Sequence, residues 1–187
     1  MDDISLPHKG WGKGSVRVAH APVGTATVLE IQGSRLSNYY VYGLVETATS
    51  LEQGGMLASV CFSGERLRAV VPREYTHVKI SPPSNSAGIV RWKLGFRPGD
   101  GIRELTGEDP VRGSHPDVLR WSGGPAELAL EVGKGYARVH HCALSGARRE
   151  EVRYVGEGPF RGTLKVPGPG LIEVDCLVAW SLQPLKA

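Results

Sequence analysis

Short runs in which apolar and polar residues alternate with a period of two recur along the whole chain. Val16 and Val18, then Leu57, Ser59 and Cys61, then Val78 and Ile80 follow the pattern in the first half. Leu128, Leu130 and Val132, Leu164 and Val166, and Ile172, Val174 and Cys176 follow it in the second. Successive side chains of a strand point to opposite faces, so this spacing builds strands buried on one side. The runs are bounded by turn formers such as Gly33-Ser34, Gly54-Gly55, Pro82-Pro83, Gly133-Lys134-Gly135, Ser145-Gly146 and Pro167-Gly168-Pro169-Gly170. Strands at this spacing predict an all-β sandwich or barrel. The 25 glycines and 13 prolines are scattered between apolar runs and serve those turns. The one stretch that competes as a helix, 44–53, contains Val45, Thr47 and Thr49 and reads as strand plus turn.

A weak internal duplication organises these strands. Leu29-Glu30-Ile31 is echoed by Leu130-Glu131-Val132, and Tyr39-Tyr40-Val41 by the strand opening at Tyr136. The segment from Arg66 to Val71-Pro72 is echoed by that from Arg161 to Val166-Pro167, and the strand carrying Trp92 by the one carrying Trp180. The expectation is two tandem, related antiparallel β-sandwich units, jelly-roll-like, over 15–97 and 116–187. Residues 1–14 form an N-terminal arm in this reading, and the polar, turn-rich 98–115 forms a linker. Two packings stay open: each unit closes its own sandwich, or the units merge into one larger one.

No stretch reaches the roughly 20 apolar residues that cross a bilayer, and the start has no apolar signal region. The expectation is a cytoplasmic protein with no membrane insertion. Cys61, Cys142 and Cys176 lie in apolar segments and read as free, mostly buried thiols. The chain lacks a GxSxG elbow, a phosphate-binding glycine loop and an HExxH pair, so the common hydrolase, nucleotide and metalloprotease patterns fail and no cofactor is expected.

Charge is uneven: residues 1–97 hold 11 Lys and Arg against 7 Asp and Glu, and residues 98–187 hold 11 against 12. The basic residues of the first unit include Arg66, Arg68, Arg91 and Lys93; Thr163, Ala179 and Ser181 stand in for Arg68, Arg91 and Lys93 in the second. Strand alternation places Tyr40 and Tyr42 on one face, opposite to Tyr39 and Val41. With Tyr39 and Val41 inward, Tyr40 and Tyr42 form an outward aromatic pair suited to a protein partner or a sugar ring. Trp92 and Trp180, flanked by aliphatic residues on the same face, read as core. His140 and Cys142 share a face and are weak metal candidates, because no second Cys/His pair stands at ligand spacing.

The second unit resembles a small family of bacterial β-sandwich domains of unknown function. The resemblance rests on Gly123-Gly124, the Leu130-Glu131-Val132 strand, the strand from Phe160 to Val166-Pro167, the Leu171-Ile172-Glu173-Val174-Asp175 strand and a terminal strand with Trp180. Similar sequences occur alone or beside TIR signalling domains, which implies an accessory role in recognition. The reading is a non-catalytic binding or assembly module that recognises a protein partner, a second copy of itself or an acidic ligand. Tyr40, Tyr42, Arg66, Arg68 and Arg91 are its expected contacts. A lectin-like carbohydrate binder is the first alternative, and a Cys/His- or metal-dependent enzyme the second; nucleic acid is not favoured.

Overall fold

The computed structural model describes residues 6–61, 64–83, 90–107, 109–146 and 149–185. Sixteen strands, with no α-helix among the described residues, build two sandwiches. The first eight are β1 (His8–Trp11), β2 (Gly14–Arg17), β3 (Thr27–Gly33), β4 (Asn38–Glu46), β5 (Leu51–Cys61), β6 (Arg66–Val71), β7 (His77–Ser81) and β8 (Arg91–Pro98). The second eight are β9 (Val111–Gly113), β10 (Asp117–Trp121), β11 (Ala126–Val132), β12 (Ala137–Cys142), β13 (Arg149–Val155), β14 (Phe160–Val166), β15 (Gly170–Cys176) and β16 (Trp180–Pro184).

In the first unit, sheet A runs β1-β8-β3-β6 and sheet B runs β2-β7-β4-β5. In the second, sheet C runs β10-β15-β12-β13 and sheet D runs β9-β16-β11-β14. Counting within each unit gives the same order twice, 1-8-3-6 and 2-7-4-5, so sheet A corresponds to D and sheet B to C. Two four-stranded antiparallel sheets connected this way form an eight-stranded jelly roll. Each unit closes its own core: Leu29, Ile31, Tyr39, Val41, Leu67, Ile80, Trp92 and Leu94 in the first, and Leu128, Leu130, Val139, Ile172, Val174, Trp180 and Leu182 in the second.

The duplication extends to irregularities. A bulge interrupts the β4–β5 ladder between Val41 and Tyr42, and one interrupts β12–β13 between Val139 and His140. One echo shifts by two residues. The ladders pair Thr27 with Val71 and Ala126 with Val166, which sets Leu29-Glu30-Ile31 against Leu128-Ala129-Leu130. A slip of two leaves every side chain on its own face, so the alternation pattern does not detect it.

Two stretches read as arm and linker carry strands. Residues 8–11, in the expected arm, supply the edge of sheet A; β2, at the expected start of the first unit, supplies the edge of sheet B; and β9, inside the expected linker, pairs with β16. Elsewhere in that linker Gly99–Gly101 forms a 3-10 turn, and Glu104 makes an isolated parallel bridge to Arg120. The 44–53 segment is strand, turn and strand, closed by Thr47 bonding with Ser50. The Ile89 end of the Trp92 echo lies outside the described residues.

The units abut through the outer faces of sheets A and C. Ala26, Val28 and Val70 of the first pack on Val118, Cys142 and Leu171 of the second, with Ile102 from the connection. Polar contacts ring this patch. Arg68 donates to Asp117 at 2.9 Å, Arg73 donates to the Ser145 carbonyl at 3.0 Å, and Arg149 donates to the Met56 carbonyl at 3.3 Å.

Candidate functional site

The expected site residues divide between the two outer faces of the first sandwich. Tyr39 and Val41 are fully buried, so Tyr40 and Tyr42 project from sheet B, half-buried, with ring centroids 6.3 Å apart and tilted by 53°. Lys79, opposite Tyr42 in the ladder, donates to Gln53 at 3.0 Å. Tyr136 of the second unit lies near Tyr40; burial first, then the Asp175 carboxylate, raise its pKa, and Tyr40 adds to the shift.

Arg66, Arg68 and Arg91 stand on sheet A instead. Arg68 and Arg66 are committed to structure. Glu30, 1% exposed, accepts from Arg68 at 2.8 Å and Arg97 at 3.1 Å, with Arg66 at 3.5 Å from its other oxygen. Burial alone would raise the Glu30 pKa, but Arg68 and Arg97 outweigh it and hold the carboxylate below its ordinary range. A single surface of Tyr40, Tyr42, Arg66, Arg68 and Arg91 is therefore not what these strands build. Alternation fixes which face a side chain takes, but not which of two sheets carries it.

Arg91 belongs to a different constellation. Its guanidinium lies 4.1 Å from the centre of the Trp11 ring, a cation–π geometry. Lys9, Trp11, Gln32, Ser34, Arg91 and Lys93 line a groove of about 460 Å³ floored by Gly10 and Trp92. Lys9, Trp11, Arg91 and Lys93 are exposed, three cations with no carboxylate among the lining residues. The floor explains the local sequence: the Trp92 indole occupies the space a side chain at position 10 would take, and its Nε1 donates to the Gly12 carbonyl at 3.2 Å. Gly10 thus faces inward while Lys9 and Trp11 face out.

The second unit repeats the groove with other chemistry. Trp180 covers Gly113 and donates to the His115 carbonyl at 2.9 Å. Its groove, about 450 Å³, is lined by Arg112, Glu131, Phe160, Arg161, Ala179 and Ser181. Arg161 pairs with Glu131 at 2.8 Å, and Ala179 and Ser181 replace Arg91 and Lys93. One scaffold thus carries an uncompensated basic groove and a nearly balanced one. Lys9 and Trp11 escaped the sequence reading, since a strand whose inward residue is glycine shows no apolar alternation.

His140 and Cys142 lie on the outer face of sheet C, against the first unit. Cys142 is fully buried in the inter-unit patch, where burial pushes its thiol pKa up, away from the reactive thiolate. Burial, with Arg149 and Arg138, lowers the His140 pKa to about 4 and keeps the ring neutral. Among the described residues no three His, Cys, Asp or Glu side chains gather as metal ligands. Cys176 is also buried, whereas Cys61 is exposed. A third cavity, about 400 Å³, opens between the units beside Met56, Glu74, Tyr75, His140, Arg149 and Glu151. No helix among the described residues is long and apolar enough to cross a membrane.

No known protein-family model matches the chain, and no curated protein matches it.

Proposed function

We propose that this protein is a non-catalytic binding module whose first jelly roll recognises an acidic ligand, or the acidic surface of a protein partner, in the groove of Lys9, Trp11, Arg91 and Lys93. One observation carries the reading: the scaffold is present twice, and only the first copy lines it with cations that have no carboxylate beside them. Three positive charges around one concavity raise the local concentration of an anion, and the exposed tryptophan adds apolar contact. Arg91 and Lys93 project from a paired strand, so little ordering is needed on binding. The resemblance to domains found beside TIR domains agrees with a recognition role.

The natural control is the composition of the second groove. Titration calorimetry with a glutamate-rich peptide and its glutamine counterpart would compare the protein with its Trp11→Ser, Arg91→Ala, Lys93→Ser variant. The expected outcome is binding of the acidic peptide alone, weakened about tenfold or more in the variant, and weakened by added salt. Equal affinity of protein and variant would refute the groove.

A carbohydrate-binding reading draws on the half-buried Tyr40 and Tyr42 beside Lys79 and Gln53. The 53° tilt denies a sugar one flat platform across both rings, so each ring would act alone. A glycan array on which the Tyr40→Ala variant gives the same signal as the parent would remove it.

A further inference from the structure

β1 is the open edge of sheet A, paired among the described residues with β8 alone. The Gly12 amide donates to the Val90 carbonyl at 2.7 Å, which sets the phase of this ladder. Gly10 with Trp92 and His8 with Leu94 continue the hydrogen-bonded pairs; Lys9 with Lys93 and Trp11 with Arg91 fall between them. The backbone N–H and C=O groups of Lys9 and Trp11 therefore turn away from β8, toward the open edge. Opposing side chains come closest in these same pairs, so Lys9 and Lys93 meet as like charges, an arrangement that destabilises a ladder. No ion pair relieves either lysine or Arg91 among the described residues. The row continues through Gln32 on β3 to Arg66 on β6, so a polar and basic line crosses all four strands, about 14 Å at the usual strand spacing.

We propose that the groove's ligand is an extended acidic peptide segment of a partner protein, which adds to sheet A as a fifth strand alongside β1. Its backbone pairs with Lys9 and Trp11, and its carboxylates extend the row of Lys9 and Lys93. In an added strand every second side chain points to the outer face of the sheet, so the acidic residues lie beside the groove and the residues between them face the edge of the core. A carboxylate beside Lys9 would relieve the Lys9–Lys93 repulsion, and the methylene groups of the acidic side chain two positions away would meet the Trp11 ring, 61% exposed. This inference rests on the groove reading and adds the backbone pairing.

The full chain, with its backbone amides assigned by NMR, would be titrated with an acetylated peptide of alternating glutamate and valine. The same peptide N-methylated at alternate residues, in each of the two registers, keeps the charges and removes the edge-facing donors. The expected result is slowed exchange of the Lys9 and Trp11 amides and about a tenfold or greater loss of affinity on N-methylation in one register. Lys9→Glu should weaken the unmethylated peptide with its melting temperature unchanged or raised. Affinity that depends on Arg91 but ignores N-methylation overturns strand addition and leaves the groove reading standing. Loss of all peptide binding overturns both, as does an oligothymidylate that occupies the groove while no peptide does.

Discussion

Glu30 and Glu173 are both 1% exposed and face the junction from opposite sheets, yet their surroundings drive them apart. Glu30 has three arginines beside it, and two of them, Arg68 and Arg97, outweigh the burial that would raise its pKa. Glu173 has one, Arg149 at 2.8 Å, with Asp175 nearby; burial prevails and its pKa is pushed up to about 7. Glu30→Ala leaves three guanidinium groups without their shared anion and should cost about 3–5 kcal/mol in denaturant unfolding; a loss under 1 kcal/mol would show the cluster to be solvated. Glu173 titrates against His140. The neutral His140 ring, with its folded pKa near 4 and an ordinary value of 6.5, contributes stability that is complete above pH 6.5 and lost as pH falls toward 4. Glu173, raised from 4.5 to about 7, does the reverse: its contribution is present below pH 4.5 and lost as pH rises to 7. Each amounts to about 3 kcal/mol at most. Relative to the parent, Glu173→Gln should therefore lose melting temperature on acidification from pH 6.5 to 4.5, and His140→Gln should lose it on raising the pH from 4.5 to 7. Parallel slopes in the two variants would sink the assignment. Little of this cluster was legible from sequence: alternation puts Arg66 and Arg68 on an outer face, but does not say that another unit covers it. Glu30, outward in the middle of an apolar run, was the available signal.

At the level of elements, the tandem strands were legible because alternation and the terminal tryptophans survive in both copies. The edge strands were not. β1 reads His-Lys-Gly-Trp, and β9 has only three residues, so neither offers a period to count. What fixes them is the glycine beneath an indole, Gly10 under Trp92 and Gly113 under Trp180. A methyl group at either position meets the ring, which is itself 7% or 3% exposed and has its Nε1 bonded to a loop carbonyl. Gly10→Ala and Gly113→Ala should each cost about 1–3 kcal/mol by overpacking. Only Gly10→Ala should also displace β1 and weaken the acidic peptide. Should Gly113→Ala abolish peptide binding while Gly10→Ala leaves it intact, the ligand sits on the second unit.

For the whole molecule, the duplication creates an asymmetry. Sheet A of the first unit docks on sheet C of the second, and C corresponds to B, not to A. The contact is heterologous, the kind that can be repeated from copy to copy without end unless one face is altered. Sheet D, the counterpart of A, carries that alteration. The opposed pair Val28 and Val70, at the centre of the inter-unit patch, corresponds by register to Glu127 and Lys165, which pair with each other at 3.5 Å. The apolar docking face of the first unit is a solvated face in the second, so sheet D does not offer a further unit the same contact. Transferring the change back tests the junction. Val28 and Val70 are 0% and 1% exposed, so Val28→Glu with Val70→Lys places an ion pair where no water reaches it while the units stay docked. Burial of such a pair costs several kcal/mol, whereas the same pair on an open face costs little. The units should separate in the double variant: the scattering radius of gyration rises, and a single thermal transition divides into two, one for each core. A single transition with unchanged radius would mean that the apolar patch does not hold the units together and that Arg68–Asp117, Arg73 and Arg149 suffice.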